Sequence, residues 1–263
     1  MNLISMAKQK DGFLGEQALV LPPAIVQRMK TDPATSILYI TDIGYYPKAY
    51  NHFRERDVPI DQYVFIYCTE GRGWFSLDGQ KHPVVPNQYF ILPAGLPHAY
   101  GADEKEPWTI YWIHFGGTLA PLYCTHRTCR LTDIKPGMHS RISYRTELFE
   151  EIFRVLKMGY SLENLSYASS VFHHYLGSLR YLREYREAFS EHRPAGEEDP
   201  VNAAIHYMKE NMEKHLSLQD IADQIGYSPS HFSMLFKKKT GHSSLTYFNL
   251  LKIQQACQLL DTT

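Results

Sequence analysis

Three consecutive lysines, Lys237, Lys238 and Lys239, close the stretch SLQDIADQIGYSPSHFSMLFKKKTG (Ser217–Gly241). On a helix turning about 100° per residue, Phe232, Leu235 and Phe236 fall on one side and Ser230, Ser233, Met234 and Lys237 on the other. The outward side is slim and polar at its start and basic at its end. Side chains of that size can approach base edges in a DNA groove, and lysines beside them can neutralise phosphates. A merely solvated helix more often displays long mixed charges. For Lys239 in particular the plain alternative is a solvated helix end favoured by the helix dipole. The cysteines, Cys68, Cys124, Cys129 and Cys257, have neither CxxC spacing nor the density of a disulfide framework. They are expected to be thiols in a reducing cytoplasm.

The elements that must hold the lysine-ended helix are legible in its surroundings. Asp199 is an N-cap residue followed by Pro200, and Val201, Ile205, Met208 and Met212 then recur at helical spacing. Ser217 and Asp220 have the spacing of a capping box, and Gly226 can take the left-handed conformation that stops the helix. Ser228 caps a third helix with Pro229 at its first position, and Gly241 ends it. Capped helix, glycine turn and capped helix together predict a helix-turn-helix.

Upstream, the 263 residues are enough for two domains. SILYITDIGYY, QYVFIYC, GWFSLDGQKHPV, QYFILPAG and WTIYWIHF read as strands, rich in aromatic and β-branched residues and punctuated by Gly and Pro. Asp78-Gly79 is a two-residue hairpin turn. So many short strands without helical crossovers predict a barrel or sandwich. Strand alternation places Trp108, Ile110, Trp112 and His114 on one face. After Gly137 the period becomes helical: one helix closed by Gly159, and a second from about Ser161 to Glu191. On the second, Leu165, Ala168, Phe172, Tyr175, Leu179, Leu182 and Phe189 form a seam with Arg186 as its polar break. That seam fits burial against its own β domain or pairing with a second chain, and the period alone does not choose. EHRPAGEEDP (Glu191–Pro200) has nothing to bury and reads as a linker. The net charge of −1 leaves any DNA affinity to a local patch. The opening MNLISMAKQKDG lacks the apolar core of a secretory signal, and no stretch approaches eighteen apolar residues, so a cytoplasmic protein without membrane contact is expected.

The segment LSLQDIADQIGYSPSHFSMLFKKKTGHSSLTYFNLLKIQQACQLL strongly resembles the first helix-turn-helix and linker helix of AraC/XylS-type transcription regulators. The resemblance implies that Ser230, Ser233 and Met234 contact bases, and that Ser228, Lys237 and Lys238 contact the DNA backbone. The family continues into a second helix-turn-helix; this chain stops at LLDTT, which reads as a shortened form. VFIYCTEGRGWFSLDGQKHPVVPNQYFILPAGLPHAYG and the later WTIYWIHF resemble the cupin-like effector domain of arabinose-type regulators. PAGLPH matches the PxGxxH half of the cupin metal pattern, but only His82 stands where the HxH half belongs. A site needs three or four ligands, so no metal or other cofactor is expected and a cupin enzyme is the remote alternative. His98 then reads as a hydrogen-bonding or structural residue.

The resemblance implies a multidomain α+β chain: an arm over 1–35 and a cupin-like β-barrel (jelly roll) over 36–137. A helical dimerisation element (138–192), a linker (193–199) and the helix-turn-helix segment (200–263) follow. It places Arg56, Tyr100 and Trp112 at effector-contacting positions. Trp112 would offer its face to a sugar ring and the other two would hydrogen-bond hydroxyls. His98 and His114 are weaker candidates, and Trp112 as plain barrel filler stays open. The arm could cover the pocket mouth. The implied protein is an effector-responsive regulator of operator half-sites, its effector a monosaccharide and its assembly a homodimer. A sugar-binding module that never touches DNA is the other alternative.

Overall fold

In the computed structural model, which describes residues 8–124, 129–136, 140–188 and 199–261, the chain divides into two units, Met1–Ser190 and Glu191–Thr263. The first unit packs two antiparallel sheets. One runs in the order β1 (Gln17–Val20), β2 (Tyr39–Tyr46), β9 (Thr109–Gly116), β4 (Tyr63–Glu70), β7 (Gln88–Leu92), β10 (Thr132–Asp133). The other runs β3 (Phe53–Arg56), β8 (His98–Ala102), β5 (Gly73–Leu77), β6 (Gln80–Val84). The β5–β6 hairpin turns through Asp78 and Gly79, both with positive φ (51° and 75°), as a primed turn requires.

Alternation along the central strands decides what each sheet face meets. Phe65, Tyr89, Ile91, Ile113 and Phe115 point away from the four-stranded sheet into a core shared with α3 (Ile142–Lys157) and α4 (Leu162–Arg180). Val64, Ile66, Phe90, Leu92, Ile110 and Trp112 point inward and meet Phe75, Val84 and Tyr100. A sheet covered on both faces needs near-continuous apolar strands, which is why VFIYC is apolar at every position. Gly44, paired with Trp112 across β2 and β9, makes room for the indole: a Cβ there would lie 2.5 Å from it.

The segment expected as an arm holds a strand and a helix. β1 pairs with β2 along its whole length, α1 (Pro23–Thr31) follows, and Leu21 and Met29 are buried in the helix-side core. Only the stretch before β1 behaves as a strap: Gln9 bridges to His52, and Phe13 is buried in the inner core. A short α2 (Ala120–Tyr123) follows β9.

The seam residues Leu165, Ala168, Phe172, Tyr175 and Leu179 are all buried in the unit's own core, so their partner is the sheet and α3. The single long helix expected to Glu191 is broken: α4 ends at Arg180, Tyr181 leaves helical geometry (φ −107°, ψ 56°), and α5 (Leu182–Glu187) begins afresh. Two side chains supply the reason. Arg145 donates to the Ser178 carbonyl (2.9 Å) and Tyr89 donates to the Leu179 carbonyl (3.2 Å). Both carbonyls are thereby engaged where the next helical turn would have used them. The guanidinium of Arg145 is itself buried, held further by the Ser178 hydroxyl and the Ser140 carbonyl, with the Tyr185 ring 4.6 Å away. Phe189 and residues 193–198 of the linker expected over 193–199 lie outside the described residues, and Asp199 caps the next helix.

The described residues of the second unit form four helices, α6 (Pro200–Glu210), α7 (Leu218–Gln224), α8 (Pro229–Thr240) and α9 (Ser244–Asp261). They close over Val201, Met208, Ile221, Ala222, Phe232, Phe236 and Phe248, all buried. Each phenylalanine contributes about 1.5–3 kcal/mol through burial, a large share for so small a core. Among the described residues no helix is long and apolar enough to cross a membrane.

Candidate functional site

In the second unit the local signals set the geometry of α7 and α8. Asp199 caps α6 through the amides of Val201 and Asn202. Ser217 and Asp220 form the reciprocal capping box at the start of α7, and Gly226 (φ 72°) makes the turn. The α8 helix buries Phe232 and Phe236 and sends the other side outward: Ser230, Met234, Lys237 and Lys238 are exposed, Ser233 half so. Met234 is 65% exposed, which has no packing reason. Ser228 stands at the N-cap position of α8, but its hydroxyl makes no capping bond. Pro229 already fixes the first helical φ, and the exposed hydroxyl is left for other partners.

The lysine triplet is not uniform. Lys239 pairs with Asp199 at 2.7 Å and ties the end of α8 to the start of α6. Lys237 and Lys238 have no ion-pair partner among the described residues, so their charge faces solvent. The Tyr227 and His231 rings stack at 5.4 Å beside the turn, a contact absent from the sequence expectations.

In the first unit the inner faces of the two sheets enclose a cavity of about 20 Å³. Three of the expected residues line it: Tyr100 from β8, and Trp112 and His114 from β9. Arg56, at the end of β3, reaches it indirectly by donating to the Tyr100 hydroxyl at 3.1 Å. His98 stacks against Tyr100 at 6.2 Å and its Nδ1 lies 2.9 Å from the Leu96 carbonyl. That contact assigns the proton to Nδ1 and leaves Nε2 as an acceptor. His98 Nε2 and Trp112 Nε1 are both buried with no hydrogen-bond partner. His82, by contrast, lies on β6 against Phe75 at 4.8 Å. Among the described residues no three His, Cys, Asp or Glu side chains gather as a metal site would require.

The electrostatics are set by Asp42, on β2 beside β9. Its carboxylate accepts from His114 Nδ1 (3.3 Å), the Thr41 hydroxyl (2.7 Å) and Gln62 (3.3 Å). Burial alone would push the carboxyl up, but these bonds and the charge of Arg56 overcome it and hold it below its usual range. Burial also pushes His114 down, against the pull of Asp42. The pair is therefore a neutral imidazole donating to an ionised carboxylate. His52 accepts from Trp108 Nε1 (3.1 Å), sits among Phe13, Tyr46 and Tyr100, and is pushed down to about 3 by burial and then by Arg54.

Sequence reasoning missed Asp42, His52, Tyr46 and Arg54. One signal was available: Asp42 is a charge within the apolar run SILYITDIGYY. Arg54 and His52 carried none, because FRER does not alternate as a strand and β3 was not expected.

Comparison with known proteins gives these two sites a common context. Residues 43–172 match the AraC-like ligand binding domain, and residues 208–243 match the bacterial regulatory helix-turn-helix proteins of the AraC family. The MmsAB operon regulatory protein of Pseudomonas aeruginosa is 30% identical over 93% of this chain and 77% of its own length. The lactose operon transcription activator of Staphylococcus xylosus is 27% identical over 75% of this chain and 69% of its own. The raffinose operon transcriptional regulatory protein RafR of Pediococcus pentosaceus is 28% identical over 77% and 72%. These relatives are regulators and not enzymes, and the ligand-binding domain precedes the helix-turn-helix in this chain. The chain belongs to the AraC family: a DNA-binding transcription regulator with a cupin-like ligand-binding domain and an AraC-type helix-turn-helix.

Proposed function

We propose that the effector is a small sugar taken into the inner cavity of the first unit, and that it changes how the protein engages operator half-sites. The observation carrying this reading is the buried, unpartnered donor on Trp112, a residue of the cavity lining; the unpartnered acceptor on His98, which stacks on Tyr100, is not part of that lining. A buried polar atom without a partner costs about 1–3 kcal/mol. A sugar hydroxyl can accept from that indole N–H, while Tyr100, backed by Arg56, offers a further polar group and the Trp112 indole an apolar face. Two of the relatives are named for the lactose and raffinose operons, which supports the same class.

At about 20 Å³ the cavity holds about one water. A sugar must therefore select a more open state, and its apparent affinity falls by the fraction of time that state exists. Phe13 packs 4.8 Å from Tyr46 and 5.2 Å from His52, two residues of the cavity lining, and its withdrawal would widen the space beside them. On the DNA side, Ser230, Ser233 and Met234 would read base edges, with Ser228, Lys237 and Lys238 on the backbone. The proposed assembly is a homodimer, which two half-sites require. Since the α4 seam is covered from within, pairing would use another face, and exposed Tyr144 on α3 and Tyr167 on α4 mark one.

A monosaccharide screen by thermal shift tests the effector. The expected result is a concentration-dependent rise in melting temperature with one sugar class, weakened about tenfold or more by Tyr100→Phe or Trp112→Ala. If no sugar shifts the transition, or those variants respond as the parent does, the reading fails.

A further inference from the structure

On the helix side of the six-stranded sheet, outside the inner cavity, lies a second cavity of about 280 Å³. It opens between β7 and the end of α4. Leu176, Leu179, Leu182 and Tyr123 supply its apolar wall, and Arg130 and Arg180 stand at its edge. The effector reading above makes no use of it.

Three features give it a chemistry. Arg130 and Arg180 are exposed, and neither has a carboxylate within ion-pair distance among the described residues. Two guanidinium groups in the lining of one cavity can both turn to a single anion held there. Their forked geometry suits an oxygen anion better than halide. The wall opposite is hydrocarbon from three leucines, which a hydrophilic anion would leave unused. The Tyr89 hydroxyl is spent on the Leu179 carbonyl, and the Cys124 thiol on the Ile91 carbonyl at 3.3 Å. Besides the two cations, the remaining polar groups of the lining are the hydroxyls of Tyr123 and Thr132, which are neutral, so the arginines carry the charge of the site.

We propose that this cavity binds an amphiphilic organic acid, a carboxylate on a short hydrocarbon body, with the carboxylate between Arg130 and Arg180 and the hydrocarbon on the leucine wall. Leu179 and Leu182 flank the broken α4–α5 corner, so the ligand would pack on the last helices before the DNA-binding unit. The site is separate from the sugar reading and stands or falls without it.

The test is calorimetric titration of the whole chain with octanoate, octan-1-ol and inorganic phosphate. Octanoate is expected to bind at one site, octan-1-ol at least about tenfold more weakly for lack of the charge-assisted bonds, and phosphate without measurable heat. Arg130→Gln with Arg180→Gln should weaken octanoate by about tenfold or more while leaving octan-1-ol unchanged. Both arginines are exposed, so the double variant should melt as the parent does. Trp112→Ala should leave octanoate affinity intact. Equal binding of octanoate and octan-1-ol, tight binding of phosphate alone, no effect of the double variant, or loss of octanoate in Trp112→Ala would each overturn the proposal. The last outcome would place the ligand in the inner cavity instead.

Discussion

Lys237 and Lys239 are two residues apart, yet their surroundings separate their roles. Lys237 is free in solvent, whereas Lys239 is held by Asp199 at 2.7 Å. Lys237→Ala is expected to weaken operator binding across all sequences and to reduce the slope of log affinity against log salt by about 1. Lys239→Ala should leave that slope nearly unchanged, with at most about 1 kcal/mol lost from the second unit. Salt titrations of both variants on one operator fragment separate the two, and equal slopes would show that Lys239 also serves the DNA. The buried histidines make a second prediction at this scale. His52, His98 and His114 are all pushed below the ordinary value of 6.5, His52 to about 3, with burial the leading cause. Unfolded, they take up protons near 6.5; folded, they do so only at lower pH. Their stabilising effect is therefore complete above pH 6.5 and is lost as the pH falls, each histidine contributing a slope of up to about 1.4 kcal/mol per pH unit. Urea unfolding at pH 7 and pH 5 should show the loss, and His52→Asn should flatten the dependence. A first unit equally stable at both values would contradict the assignment.

Among the elements, the α4–α5 break rests on two side chains, Arg145 and Tyr89, and Arg145 makes the more bonds there. Arg145 is 2% exposed and its guanidinium is satisfied by hydroxyl and carbonyl oxygens, with no carboxylate partner among the described residues. Arg145→Ala strands those acceptors and empties the space beside Tyr185, and should cost the first unit about 2–4 kcal/mol. Ser217→Ala removes half of a capping box and should cost the second unit about 1 kcal/mol. Chemical unfolding of each variant checks both. If Arg145→Ala costs less than the cap variant, the break has another cause. The two helices also show what periodicity can and cannot say. The seam from Leu165 to Leu179 was visible as a repeat, but a repeat states only that one face is covered. The covering elements, β4, β7 and β9, come from up to about a hundred residues upstream.

For the whole molecule, two units with separate cores predict two thermal transitions. Calorimetry should resolve them. Arg145→Ala should move only the one belonging to Met1–Ser190, and Ser217→Ala only the other. A single transition moved by both variants would show the units to be energetically one. A net charge of −1 is compatible with DNA binding, because on the proposed reading the phosphate contacts fall to a local patch, Lys237 and Lys238 at one helix end, and the overall charge carries no information about the partner.

The sequence by itself determined the helix-turn-helix, because everything that shapes it is local. Caps act within three residues, Gly226 needs only its own φ, and the outward face of α8 follows from a period of 3.6. It likewise determined the inward set Trp108, Ile110, Trp112 and His114, since side chains on a strand alternate whatever the fold. Only the tertiary structure decided that Asp42 meets His114, that Lys239 is tied to Asp199, and that Tyr89 and Arg145 break the last helix. It also decided that Phe13 packs on Tyr46 and His52 beside the inner cavity. Each of these joins residues far apart in the chain, and pairings of that kind are set by how sheets and helices pack, which no local pattern encodes.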